Sequence, residues 1–222
     1  KKMKQNLLIN WIEKLDNLKK FSQGIKANSW KEIYHLVVLP MYKEGEGVVR
    51  GTMEALINSN YPKHKIIVVL AVEERAGEPA KETANRIERE YAERFFRFLV
   101  TYHPANISGE IVGKGSNETW AGKKAKNKII DVEKIPYENI IVSCLDIDTQ
   151  VYPNYFSCLT YHYLTCENPL RSSFQPIPLY LNNFWDAPFF SRLVSALNTF
   201  WQMMQQQRPE KVITYSSHAM SF

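Results

Sequence analysis

Three apolar runs, each ending at a polar loop, constrain the fold of this chain more than any other feature. They cover residues 35–40, 65–72 and 140–145, and segments with helical periodicity separate them. Strands that are apolar along their whole length are buried on both faces, which is typical of a parallel sheet covered by helices. The sequence therefore predicts an α/β fold with a Rossmann-like, mostly parallel sheet and helices on both faces.

Polar side chains follow each apolar run. The loop 41–47 follows the first, Glu73 and Glu74 follow the second, and Asp146-Ile147-Asp148 follows the third. Ligands of such sheets bind beyond the carboxyl ends of the strands, where these segments should converge. Paired carboxylates are hard oxygen ligands suited to Mg²⁺ or Mn²⁺, although Asp-x-Asp alone also fits a surface turn or a helix cap.

Composition narrows the possible partners. The 222 residues are 45% hydrophobic and carry a net charge of +5, which suits an anionic substrate or an acidic membrane surface. Basic and aromatic residues are not interleaved on one segment, so we expect no nucleic-acid partner. The three cysteines lack metal-site spacing, which favours reduced thiols in the cytoplasm. No apolar run reaches the length of about 18 residues that a membrane span needs.

Two segments have the pattern of amphipathic helices. Residues 4–21 and 188–207 both carry large apolar side chains at spacings of three and four. Each helix can pack on the core or lie on a membrane surface, with Trp11 at headgroup depth in the second case. We expect residues 1–30 to form an N-terminal helical appendage and residues 31–222 to form the ligand-binding domain.

The order of the motifs resembles a known enzyme family. Leu36 to Glu44, Tyr61-Pro62 before the second apolar run, Gly113-Lys114-Gly115 and Asp146-Ile147-Asp148 are similar to family-two glycosyltransferases, which include cellulose and hyaluronan synthases. The resemblance covers roughly residues 35–220. It implies a GT-A fold and a nucleotide-sugar donor, with a uridine diphosphate sugar favoured. It also suggests an N-terminal fragment of the catalytic region of a membrane protein.

The resemblance implies a set of donor-binding residues, namely Pro40, Tyr42, Glu44, Glu73, Lys114 and Asp146. Glu73 stands where most relatives have an aspartate that reads the base, and Lys114 would approach the diphosphate or the base. Other interpretations stay open at this point. Glu44 equally fits the cap of a helix that starts near residue 46, Glu73 also fits an exposed turn, and Gly113 to Gly115 also fits a flexible basic loop.

The resemblance also implies a divalent metal, Mn²⁺ or Mg²⁺, held by Asp148 and Asp146 with the donor diphosphate. An inverting transfer needs a general base, which relatives place in an acidic motif after the stretch that here ends near Ala219. The sequence given ends at Phe222, and Asp186 is the only aspartate after Asp148. We therefore expect the base beyond Phe222, which leaves open whether this fragment is active.

The remaining expectations concern the acceptor and the location. By resemblance Gln175, Trp185 and His218 would contact a glycan or lipid-linked acceptor. The domain would lie on the cytoplasmic face of a membrane, to which flanking transmembrane segments of the full-length protein would attach it. Two alternatives remain: a catalytically incomplete nucleotide-sugar-binding module, and a nucleotidyltransferase. The second usually has a glycine-rich loop after the first strand, where this chain has residues 40–44, Pro-Met-Tyr-Lys-Glu.

Overall fold

A six-stranded sheet forms the centre of the computed structural model, which describes residues 7–181, 185, 187–205 and 217–222. The strands are Tyr34–Met41 (β1), Ile66–Glu73 (β2), Arg97–His103 (β3), Ile140–Cys144 (β4), Ser173–Phe174 (β5) and His218–Ser221 (β6). Their order is β3-β2-β1-β4-β6-β5. The first four are parallel, whereas β6 runs antiparallel to both β4 and β5. The predicted α/β class and mostly parallel sheet are confirmed.

Helices connect the strands. The α-helices are Trp11–Asp16 (α1), Glu46–Ile57 (α2), Glu78–Tyr91 (α3), Lys114–Ala125 (α4), Tyr155–Thr165 (α5) and Phe189–Gln205 (α6). A π-helical turn, Lys126–Ile130, continues α4. Short 3₁₀ turns occur at Trp30–Glu32, Lys63–Lys65, Glu74–Ala76, Ala92–Arg94, Tyr137–Asn139 and Pro169–Arg171.

The central strands are buried because their alternate side chains enter two different apolar layers. Val37 and Leu39 of β1 join the larger layer, which contains residues of α2, α3 and α5. Leu36 and Val38 join the smaller layer under α4. All eight residues of β2 are buried. This two-sided burial explains why the sequence shows continuous apolar runs instead of alternation.

Residues 4–6 of the predicted helix 4–21 lie outside the described residues, and residues 7–21 do not form one continuous helix. Within the described residues α1 begins after Asn10, whose side chain accepts a hydrogen bond from the Glu13 N–H (3.2 Å), and ends before Asn17. The asparagines at both ends favour caps over helix continuation. Trp11 is buried, with its ring 5.4 Å from that of Tyr161, so α1 packs on the core and its Trp11 does not face outward as a membrane anchor would.

The predicted C-terminal helix is present as α6, but it does not pack as a core helix. Its large apolar side chains are exposed, and Gln202 is the buried residue of the helix. These exposed side chains are Phe189, Phe190, Leu193, Val194, Leu197, Phe200, Trp201 and Met204. No helix among the described residues combines the length and the apolar character needed to cross a bilayer.

Candidate functional site

The carboxyl ends of β1 and β2 carry the first group of predicted site residues. We call Tyr42, Glu44, Glu73 and Arg75 the β2-end cluster. Glu73 is the last residue of β2 and is buried, and its carboxylate pairs with the guanidinium of Arg75. That guanidinium also lies over the ring of Tyr42, 4.7 Å from its centroid. The hydrogen bond from Arg75 to Glu73 raises the pKa of the guanidinium, so Arg75 stays charged.

The contacts of Glu44 and the burial of Glu73 exclude the helix-cap and exposed-turn alternatives for these two residues. Glu44 does not cap α2, because Gly45 is the cap and makes no side-chain bond, whereas the Glu44 carboxylate accepts the Tyr42 N–H at 2.7 Å. Glu73 is not part of an exposed turn; its neighbour Glu74 is exposed and accepts the Ala105 N–H at 2.9 Å. Pro40 lies inside β1, paired with Ala71.

The segment Gly113 to Gly115 is not a flexible loop. Gly113 caps α4, since its N–H donates to Ser116 Oγ (3.2 Å) and the Ser116 hydroxyl donates back to the Gly113 carbonyl (2.7 Å). Lys114 is therefore the first residue of α4. This reciprocal bonding fixes the backbone from which Lys114 projects.

A second group of residues meets at the carboxyl end of β4. We call Lys114, Glu118, Asp146 and Ser217 the β4-end cluster. The Lys114 ammonium pairs with Asp146 Oδ1 and lies 3.6 Å from Glu118 Oε1. The Ser217 hydroxyl lies 3.3 Å from Asp146 Oδ2 and accepts the Asp146 N–H at 3.2 Å. Two distant segments, the first turn of α4 and the residue before β6, thus approach the loop that carries this aspartate.

The loop that carries the two aspartates is hydrogen-bonded to α2. Ile147 is buried, and its carbonyl accepts a hydrogen bond from the Thr52 hydroxyl of α2 at 2.6 Å. Asp146 is half-buried and Asp148 is exposed, on either side of that buried residue. The anchored backbone therefore presents two carboxylates at the rim of the sheet without burying Asp148.

The two aspartates suit a divalent cation shared with a phosphate. Their oxygens are hard ligands, and the Lys114 ammonium already occupies a cation position against Asp146. Among the described residues no three His, Cys, Asp or Glu side chains are grouped to hold a metal by themselves. Such a cation would therefore need further ligands, and diphosphate oxygens are of the right chemistry.

The predicted acceptor residues separate into two sets. Gln175 Nε2 donates to the Ser217 carbonyl at 2.7 Å, and His218 pairs with Cys144 in the β4–β6 ladder, so both adjoin the β4-end cluster. Trp185 is 82% exposed and lies in a stretch whose neighbours are outside the described residues. Phe184 and Asp186 fall outside them as well.

Glu118, Ser217 and Arg75 were not among the predicted site residues. Arg75 follows Glu73 by two positions, so its charge next to a predicted ligand was a usable signal. Glu118 follows Lys114 by four, the spacing of a helical ion pair, but that signal required α4 to start at residue 114. Ser217 had no local signal, because its contact with Asp146 spans 71 positions.

Comparisons with known proteins bear on the fold. No family model matches the sequence, and no curated protein sequence matches it. A solved mannosyltransferase, PcManGT from Pyrobaculum calidifontis in complex with GDP-Man and Mn²⁺, is similar to this chain with a TM-score of 0.51 and 13% identity. The match covers 97% of this chain and 52% of that one, so the chain spans about half of the mannosyltransferase. The two proteins share a fold, and the expected GT-A type is supported.

Two structures of TarS 1–349 from S. aureus are also similar. The first has a TM-score of 0.43 and 13% identity, over 69% of this chain and 44% of that one. The second, in complex with UDP-GlcNAc, has a TM-score of 0.40 and 15% identity, over 58% and 30% of the two chains.

Proposed function

We propose that this chain is a glycosyltransferase domain of family two that binds a nucleoside-diphosphate sugar, with a uridine diphosphate sugar favoured. It would transfer the hexosyl unit with inversion to a glycan or a lipid-linked acceptor. The observation that carries this proposal is the meeting of Lys114, Asp146 and Asp148 at the carboxyl edge of a sheet whose fold a mannosyltransferase shares. The mannosyltransferase was solved with GDP-Man and Mn²⁺, which agrees with a metal-dependent donor site.

The residues of the two clusters have distinct tasks in this proposal. Tyr42, Glu44 and Glu73 would hold the nucleoside, since an aromatic face and carboxylates can stack on a base and accept its N–H or ribose O–H bonds. Asp146 and Asp148 would hold Mn²⁺ or Mg²⁺ together with the diphosphate. The bound cation would stabilise the negative charge of the departing nucleoside diphosphate. Lys114 would add a point charge beside it.

The acceptor and the membrane belong to the same proposal. Gln175 and His218 adjoin the β4-end cluster and would line the acceptor side, with Trp185 offering an exposed ring. The exposed apolar face of α6 would lie against the cytoplasmic face of a membrane. Residues 1–30 would form an appendage of the domain 31–222, and the general base and the transmembrane segments would lie in the longer protein.

Calorimetry of the Asp148→Ala variant tests the donor site. We expect Mn²⁺-dependent binding of a uridine diphosphate sugar to be lost, because one of two carboxylate ligands is removed. Asp131→Ala is the matched control, since Asp131 pairs with Lys126 and the Tyr137 hydroxyl in another part of the chain. Undiminished binding in Asp148→Ala would exclude the assignment.

An alternative is a catalytically incomplete module that binds a nucleotide sugar without transferring it. It would share the donor site proposed above and lack a general base. Release of nucleoside diphosphate by the full-length protein, with Mn²⁺ and acceptor, distinguishes the two. Tight donor binding without turnover for any donor would favour the module.

A further inference from the structure

Glu118 holds a buried carboxylate oxygen that needs a physical explanation. It lies one helical turn after Lys114 on α4, and its side chain is only 16% exposed. Its Oε1 is buried and makes no hydrogen bond with any part of the chain that the structure describes. Burial raises the pKa of Glu118, while the charges of Lys114 and His218 act against that rise. Buried polar atoms are normally hydrogen-bonded, so an unsatisfied one next to a ligand site is informative.

The oxygen is aimed at an ammonium that already has another carboxylate. Lys114 Nζ pairs with Asp146 Oδ1 and stays 3.6 Å from Glu118 Oε1, which is beyond hydrogen-bond distance. A shift of the Lys114 ammonium toward Glu118 by less than about 1 Å would bring the two atoms within hydrogen-bond distance. Lysine suits such a shift, because its charge sits on a flexible four-carbon stem.

A divalent cation on Asp146 would displace the Lys114 ammonium toward Glu118. The cation and the ammonium carry like charges and would compete for the same carboxylate. The ammonium must then move away from Asp146 Oδ1, and Glu118 is the acidic side chain already within 4 Å of it on its own helix. Asp146 is thus the partner of Lys114 without the cation, and Glu118 lies where it can become the partner once the cation is bound.

We propose that Glu118 is a positioning residue that receives the Lys114 ammonium when a divalent cation takes Asp146. This inference rests on the proposed function, because it requires the cation to bind at Asp146 and Asp148. It goes beyond that function in assigning Glu118 a role in setting cation affinity. Glu118 keeps the displaced ammonium beside the site, where it remains available to the donor diphosphate.

A double-mutant cycle on the intact chain tests the role, with Mn²⁺ in the presence of saturating uridine diphosphate as the probe and calorimetry as the measurement. Glu118→Gln keeps the size of the side chain but removes the charge that receives Lys114. We expect Mn²⁺ affinity to fall roughly tenfold, the usual scale for losing one charge-assisted hydrogen bond. Lys114→Met removes the competing ammonium, so we expect Mn²⁺ to bind more tightly than in the wild type.

The decisive comparison is Glu118→Gln in the Lys114→Met background, where the substitution should no longer weaken Mn²⁺ binding. An equal loss in both backgrounds would overturn the role, because it would reveal a general effect of negative charge. Glu133→Gln is the control for removing a carboxylate paired elsewhere, with Arg97. If Glu118→Gln does not fold, Glu118→Asp replaces it, since the shorter side chain keeps the charge but loses the reach.

Failure of the proposed function gives a different result. Absence of Mn²⁺ binding by the wild-type chain in the presence of uridine diphosphate, or binding that persists unchanged in Asp146→Asn, would overturn the donor site and the role of Glu118 together. Binding that needs Asp146 but ignores Glu118 would overturn the role of Glu118 alone.

Discussion

The two clusters at the carboxyl edge of the sheet are built in different ways. In the β2-end cluster the Tyr42–Glu44 and Glu73–Arg75 contacts each join residues two positions apart. In the β4-end cluster Asp146 meets Lys114 from 32 positions away and Ser217 from 71. The first cluster has one contact between distant residues, Arg75 over the Tyr42 ring, and that contact needs only the neighbouring strands β1 and β2. The second exists only when α4, the loop after β4 and the start of β6 are all in place.

This difference has a consequence for ligand binding. Short-range contacts are formed at little loop-closure cost, so they can persist when a distant strand is lost. Contacts over long separations depend on the sheet pairing that brings their segments together. The proposed nucleoside contacts and the proposed cation contacts should therefore respond to different substitutions.

Ala219→Pro should separate the two clusters most strongly. Ala219 is fully buried in β6, where it pairs with Ser143 of β4 and Phe174 of β5. Proline removes an N–H from this ladder and should release Ser217 from Asp146. We expect Mn²⁺ affinity to fall on the order of 100-fold while binding of uridine diphosphate without metal changes by less than about threefold.

Ala219→Gly is the control, because it keeps the N–H and removes only the methyl group. Circular dichroism should show that the parallel strands remain. Parallel losses of Mn²⁺ and metal-free nucleotide binding in Ala219→Pro would contradict the separation of the clusters.

Arg75→Met should weaken nucleotide binding and leave Mn²⁺ binding nearly intact, with a smaller loss than in Ala219→Pro. The substitution leaves the buried Glu73 carboxylate without its guanidinium partner and removes the cation over the Tyr42 ring. We expect metal-free binding of uridine diphosphate to weaken roughly tenfold, with Mn²⁺ affinity nearly unchanged.

Arg97→Met is a closely matched control. Arg97 also pairs with a glutamate, Glu133, and also lies 4.7 Å from an aromatic centroid, that of Phe96, but it is at the other end of a strand. A loss of nucleotide binding in Arg97→Met equal to that in Arg75→Met would show that the effect is not specific to the cluster.

A buried histidine limits the pH range in which the comparison holds. His35 lies in β1 with Nε2 2.8 Å from the Thr160 hydroxyl, and burial lowers its pKa to about 3. The unfolded chain therefore takes up a proton near the ordinary histidine pKa while the folded chain does not. Stability is unaffected by His35 above that value and declines as the pH falls below it toward the folded-state pKa.

His35→Gln should reduce this decline. Between about pH 7.5 and about pH 5.5, we expect the variant to lose about 1.4 kcal/mol less unfolding free energy than the wild type. Urea denaturation at the two pH values measures the difference. His64→Gln, on an exposed turn, should keep the wild-type slope, and an unchanged slope in His35→Gln would argue against a neutral buried ring.

Local patterns were sufficient for much of the fold. The three apolar runs became β1, β2 and β4, because strands buried on both faces need apolar residues at every position. The same patterns misplaced both ends of α1, which begins late at the Asn10 cap and ends early at Asn17, and they left Gly113 to Gly115 open as a flexible loop, where the bonding of Gly113 with Ser116 starts α4. Caps depend on single side-chain bonds, which periodicity does not reveal.

For the candidate site, the sequence by itself determined the sheet class and the placing of the carboxylates Glu73, Asp146 and Asp148 at the carboxyl edge of the sheet. Tertiary structure decided which side chains meet those carboxylates. The Lys114–Asp146 pair, the approach of Glu118 and the Ser217 bonds require segments far apart in the chain to dock on one sheet. Tertiary structure also left the apolar face of α6 exposed, since a helical pattern defines a face without defining what covers it.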